Sequence, residues 1–204
     1  MRSAARDTVR VGTAKGERRR QELVTAAAAL LRSDGFDAVR HRAVAEVAGL
    51  PLASTTYYFA SLEDLVTAAV ERTSRDELAE GRAELDALPE ETLDTPELAE
   101  LVLDQLLGPE SREGGLAAVL LRYERLVGAG RRPYLAALMR ELRAELDALL
   151  SEILKRFGRP LDETPLRDLV SLVDGAVISA LIEAAPDPRA AGREVLLRRL
   201  GDGP

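Results

Sequence analysis

Apolar residues recur at three- and four-residue steps through most of the chain, the period that lines side chains along one face of a helix. The first such stripe is Leu23, Ala26, Ala27, Leu30 and Leu31, in a helix running from about Glu17. Residues 1 to about 14 carry no such period and read as a disordered basic arm, ending by residue 16. Ser33-Asp34-Gly35 closes the first helix, with Gly35 free to take a left-handed cap and Phe36 placed to fold back on the stripe. A short helix from about Arg40 to Ala48, with Val44, Val47 and Ala48 inward, is interrupted by Gly49, and Leu50-Pro51 opens another through about Tyr58. Ser61 with Asp64 three residues on resembles a capping box, opening a longer helix through Leu65, Val66, Ala69 and Val70 toward Leu85.

Beyond Leu88-Pro89 the punctuation is dense. Thr95-Pro96, Thr164-Pro165 and Asp187-Pro188 each set a capping oxygen before a proline at the first helical position, where its missing N–H costs nothing. Gly108-Pro109, Gly128 to Pro133 and Gly158 to Pro160 supply stops. These signals predict helices at roughly 96–107, 114–128, 133–157, 165–185 and 188–200. No segment alternates with period two over a strand's length. The expected fold is all-α: a three-helix helix-turn-helix unit over 17–62, followed by a helical body over 63–204.

Composition narrows the chemistry. The chain has 204 residues with no cysteine and one histidine, His41. Disulfides, thiolate zinc sites, cysteine nucleophiles and histidine-based triads are therefore excluded, and no catalytic residue, metal or cofactor is expected. The acid pair Glu141 and Glu145, four residues apart beside Arg140 and Arg143, reads as a solvated charged face. No secretory signal opens the chain, and its most apolar stretch, Leu169 to Ile182, contains Asp174 and falls short of a bilayer span of about 20 residues. A cytoplasmic protein without a membrane partner is the expectation.

The net charge of −7 hides an asymmetry. Residues 1–62 hold ten Arg/Lys against six Asp/Glu, whereas the remainder holds 18 against 29. A basic head on an acidic body suits a head that meets phosphates and a body kept soluble by its own repulsion. In that head, two helices of about two turns joined at Gly49 have the dimensions of a helix-turn-helix, whose second helix can enter a DNA major groove. Small residues Ala53 and Ser54 allow close approach to base edges, and Thr55, Thr56, Tyr57 and Tyr58 carry hydroxyls for phosphates or bases. Arg40, His41 and Arg42 stand at the start of the preceding helix, whose free N–H groups favour phosphate.

At these residues, 17 to about 70, the chain resembles the DNA-binding domain of the TetR family of bacterial repressors. Tyr57-Tyr58-Phe59-Ala60-Ser61-Leu62-Glu63-Asp64-Leu65 occupies the stretch where that family has an aromatic cluster and a Lys-Glu-Asp-Leu-like opening of the fourth helix. The resemblance implies that Leu52, Ala53 and Ser54 face bases and that Thr56, Tyr57 and Tyr58 hold the backbone. Two departures stand out: Leu62 replaces the usual lysine, and Thr56 holds the most frequent tyrosine position. Both shift weight onto Tyr57, Tyr58 and the arginines.

Leu169 to Ile182 is apolar nearly all round and must be covered on every side. A second subunit is the expected cover, through Leu169, Leu172, Val173, Ala176, Val177 and Ala180. The resemblance agrees, since it implies a homodimer built on the last two long helices. It also implies a ligand cavity in the body. Of seven aromatics, only Tyr123, Tyr134 and Phe157 lie beyond the head, so an aromatic cage is not expected. An aliphatic-lined pocket with a few polar groups, for a largely apolar small molecule, is expected instead, drawing on Leu103, Leu107, Leu120, Tyr123 and Met139. The function so implied is a ligand-responsive repressor that binds a palindromic DNA operator as a homodimer and is released by an inducer. A helical ligand-binding or adaptor protein whose head binds no specific DNA is the alternative.

Overall fold

The apolar stripes read from the sequence are helices in the computed structural model, which describes residues 14–89 and 93–201. In chain order they are α1 (Ala14–Asp34), α2 (His41–Val47), α3 (Leu52–Tyr58), α4 (Leu62–Ala87), α5 (Thr95–Leu107), α6 (Ser111–Gly130), α7 (Ala136–Arg156), α8 (Glu163–Ile182) and α9 (Pro188–Gly201). Short 3-10 turns at Phe36–Ala38 and Pro133–Leu135 join α1 to α2 and α6 to α7. No strand occurs among the described residues, and none of their helices is long and apolar enough to cross a membrane. The basic arm expected over 1–16 lies outside the described residues up to position 13; Ala14, Lys15 and Gly16 already belong to α1.

Local chemistry sets the helix ends. The Ser61 side chain accepts the Asp64 N–H at 3.0 Å and opens α4. A full capping box opens α5, but it is Asp94 that exchanges hydrogen bonds with Glu97, at 2.8 and 2.9 Å. The cap therefore lies one residue before the expected Thr95, and Pro96 falls inside the first turn. Asp162, not Thr164, precedes α8. Asp187 caps α9 as expected, accepting the Ala190 N–H at 3.2 Å. A break at Gly115, with φ 52°, divides α6 close to the predicted start at 114.

Two apolar cores follow. One joins α1, Val39, Val44 and Phe59 to the first turns of α4 through Leu65, Val66, Ala69 and Val70, and continues into the body at Ala129, Leu135 and Leu142. The other fills the body between α5, α6, α7, α8 and α9, with Leu103, Leu150, Ile153 and Val173 at its centre. Helix α4 spans both, so the head is tied to the body along a 26-residue rod.

A buried ionic cluster fastens α9 to α5 and α6. Arg189, only 2% exposed, donates to Asp104 at 2.8 Å, to Glu100 at 2.6 Å and to the Ser111 hydroxyl at 2.5 Å. Arg112 adds a second guanidinium to Asp104, and Arg193 one to Glu100. Burial alone would raise the Glu100 carboxyl, but the hydrogen bonds from Arg193 and Arg189 outweigh it and hold the group below its ordinary range. On the surface, Glu141 and Glu145 both grip Arg75 of α4, at 2.6 and 2.9 Å, so this acid pair ties α7 to α4.

Candidate functional site

The turn between α2 and α3 is built by Gly49. Its φ of 63° is a left-handed conformation that side chains strain to adopt, and it lets the Leu50 N–H reach back to Ala45 O (2.9 Å) while its own N–H reaches Glu46 O (3.1 Å). Two of the carbonyls in the last turn of α2 are thereby paired, which sets where α3 begins.

The exposed face of α3 consists of Leu52, Ala53, Thr56 and Tyr57, with Tyr57 71% exposed; Ser54 and Tyr58 are half-buried beside it. Tyr57 and Tyr58 meet edge to face with centroids 4.9 Å apart, which fixes both rings. Thr55 is a correction to the sequence reading. It is fully buried, and its hydroxyl donates to Leu52 O at 2.8 Å, because its position on α3 faces the head's core. It belongs to packing and not to the outer face. Val47, expected inward, is 55% exposed, while Ala45 is buried in its place. Arg40 and Arg42 are exposed at the start of α2, with the Arg40 Nε donating to Asp37 O at 2.9 Å. His41 is half-buried, and its Nδ1 is buried without a partner.

The body holds a cavity of about 320 Å³ bounded by α1, α4, α5, α6, α7 and α8. Of the residues expected to line it, Met139 does so. Leu103 is fully buried in the body core, Leu107 borders an adjoining pocket that shares Arg32, Glu77 and Arg122 with this cavity, and Leu120 is 42% exposed on the outside of α6. Tyr123 is also core: its hydroxyl donates to Asp174 at 2.8 Å, and it is Asp174 that borders the cavity. Burial first, and then the Asp174 carboxylate, push the Tyr123 phenol far above its usual range, so it stays a proton donor.

The observed wall is largely apolar, with Leu31, Val70, Leu106 and Leu142 among its residues, but it carries more charged groups than the few expected. Helix α4 contributes Thr73, Glu77, Glu80, Gly81 and Glu84, and α6 contributes Arg122 and Arg125. Glu77 pairs with both arginines, at 3.0 and 3.5 Å. Gly81 leaves room for the end of the Gln105 side chain: a Cβ there would stand 1.9 Å from Gln105 Oε1 and would force that side chain to shift. A glycine inside a long helix and a threonine continuing the stripe Val66, Ala69, Val70 were the available sequence signals for this wall. The head also reaches the cavity, through Leu31, Arg32 and Phe36. The Phe36 ring lies against Gly128, where a Cβ would be 2.9 Å away, and carries the Arg132 guanidinium 3.8 Å from its centroid.

Helix α8 presents two faces. Leu169, Val173, Val177 and Ala180 are buried within the chain, and Ala176 packs on the same core, because α9 closes that side: a Cβ at Gly192 would stand only 3.0–3.3 Å from the side chains of Leu103, Val177 and Val173. Of the six residues expected at a dimer interface, four are thus interior to one subunit and Ala176 is half-buried. Leu172 alone is outward, on a stripe with Gly175, Ile178, Ser179 and Ile182, of which Ile182 is 80% exposed.

A helix-turn-helix unit joined by one long helix to an all-helical body with a cavity is the architecture of a one-component transcriptional regulator. Residues 93–203 match the family model described as the tetracyclin repressor-like C-terminal domain. Among solved structures, the multidrug binding protein EbrR complexed with ethidium is 33% identical, with 88% of this chain and 97% of that one covered and a TM-score of 0.64. A TetR-family member from Streptomyces coelicolor A3 is 34% identical over 88% of this chain and 96% of that one, with a TM-score of 0.59. A transcriptional regulator from Saccharomonospora viridis in complex with choline shares the fold at 20% identity, with 92% of this chain and 97% of that one covered and a TM-score of 0.67. No curated protein matches. The chain belongs to the TetR family of transcriptional regulators, whose members are not enzymes.

Proposed function

We propose that this chain is a ligand-responsive transcriptional repressor that binds a palindromic operator as a homodimer and lets go when a small molecule fills the body cavity. The observation that carries this reading is the composition of the cavity wall: Leu31, Arg32 and Phe36 of the head face the same space as α4 to α8 of the body. An occupant therefore touches both sides of the joint that sets the head's position. A ligand that favours one head geometry weakens DNA binding by the same factor by which DNA weakens ligand binding.

Arg40, Arg42, Thr56, Tyr57 and Tyr58 are assigned to phosphates, and Leu52, Ala53 and Ser54 to base edges. The exposed stripe of α3 supports this, as does the basic excess of the first 62 residues. His41 is assigned to the DNA face by its place beside the two arginines. The outward stripe of α8, Leu172 to Ile182, is assigned to the partner subunit, since two linked readers turn two weak contacts into one tight one. EbrR, complexed with ethidium and with proflavin, supports a small-molecule effector here.

Selection of bound fragments from genomic DNA by the full-length protein tests the reading. Recovery of a palindrome is expected. Recovery of unrelated sequences only would favour a ligand-binding or adaptor protein with a silent head.

A further inference from the structure

Thr73 occupies a core position in the middle of α4, 5% exposed and bordering the cavity. A helical threonine ordinarily satisfies its hydroxyl on a carbonyl one turn back. Thr67 does so on Glu63 O at 2.8 Å, and Thr55 and Thr56 use the carbonyls of Leu52 and Ala53. The Thr73 hydroxyl is buried with no protein partner. An unpaired buried hydroxyl is destabilising, and on a cavity wall it is open to a ligand group that meets it.

The charges around the same cavity are unevenly committed. Arg122 and Arg125 are held by Glu77, and Arg143 by Asp147 at 2.7 Å. Asp104 is taken by Arg112 and Arg189. Among the described residues, this leaves Glu80, Glu84, Glu110 and Asp174 on the wall outside any salt bridge, against exposed Arg32 alone. Asp174 is the most enclosed of these carboxylates. One of its oxygens takes the Tyr123 hydroxyl and the other is free. The single aromatic ring on the wall, Phe36, is already covered by Arg132, so a ligand's positive charge has carboxylate to meet and not a π face.

We infer that the effector is a small organic cation, its charged nitrogen held by Asp174 and a second polar group held by the Thr73 hydroxyl. This rests on the cavity being the effector site of a regulator, and it names the chemistry of that effector.

Isothermal titration calorimetry on the full-length protein with three ligands of one shape separates charge from fit: 1-naphthylmethylammonium, 1-naphthalenemethanol and 1-naphthoate. The ammonium is expected to bind at least about tenfold more tightly than the alcohol, a factor corresponding to about 1.4 kcal/mol, and the carboxylate to bind more weakly still. Asp174→Asn, which keeps an oxygen for Tyr123, should abolish the preference for the ammonium over the alcohol. Thr73→Val should weaken both ammonium and alcohol while leaving the melting temperature unchanged or higher, because it removes an unpaired buried hydroxyl. Equal binding of the three, preference for naphthoate, or no binding by any of them overturns the inference. Lowered stability of Thr73→Val with undiminished affinity overturns the role of Thr73. Operator selection with the wild type is read separately: a recovered palindrome without charge preference sinks only the cation, whereas charge preference without a palindrome sinks the regulator.

Discussion

At the residue scale, the helix-turn-helix was legible as a motif, but the direction of each side chain was not. Composition placed hydroxyls at Thr55, Thr56, Tyr57 and Tyr58, and helical geometry then divided them. Thr55 turns into the head's core, whereas Tyr57 stands almost clear of it. A seven-residue helix has too few turns for its stripe to fix phase from sequence alone. Arg42 and Ser54 give opposite signatures. Arg42→Ala should weaken binding to every duplex and reduce the slope of log affinity against log salt by about one, since it removes one phosphate contact. Ser54→Val should leave the salt slope unchanged and alter sequence preference, by about 1–3 kcal/mol at the affected base pair. Anisotropy titrations over a salt series check both.

At the element scale, the prolines and glycines fixed the helix count and most ends within a few residues, because their backbone limits act locally. The outward and inward faces of α8 were not readable, since a helix apolar on all sides gives no phase. Only the seating of α9 against Val173 and Val177, made possible by Gly192, decides which side the chain covers itself. A cavity in the body was expected, but most of its wall escaped for the same reason: Thr73 and Gly81 break an apolar stripe, but what they face depends on where α5 and α8 pack. Two neighbouring substitutions on α8 separate its faces. Ile178→Asp should yield a folded monomer by sedimentation and lose tight operator binding. Val177→Asp, at a position with no exposure, should abolish cooperative melting.

At the scale of the whole molecule, the body is fastened by a buried charge cluster as well as by its apolar core. Arg189→Ala leaves Asp104 and Glu100 without their most buried partner and should destabilise by about 3–5 kcal/mol, read by denaturant unfolding. The cluster also sets an acid limit. Glu100 has its carboxyl held below the ordinary value of 4.5 in the folded chain, so its contribution is present above that pH and lost as pH falls through the folded-state value. Wild type should therefore lose stability on acidification below about pH 4.5, and Glu100→Gln should lose less over the same range.

In the proposed function, two subunits grip one operator. The most direct measurement is a fluorescence anisotropy titration of the selected palindrome beside a duplex carrying one half-site, at several salt concentrations. A homodimeric repressor should bind as one dimer per palindrome, at least about a hundredfold more weakly to the half-site, with affinity that falls steeply with salt. Equal affinity for palindrome and half-site, or binding indifferent to salt, would contradict it.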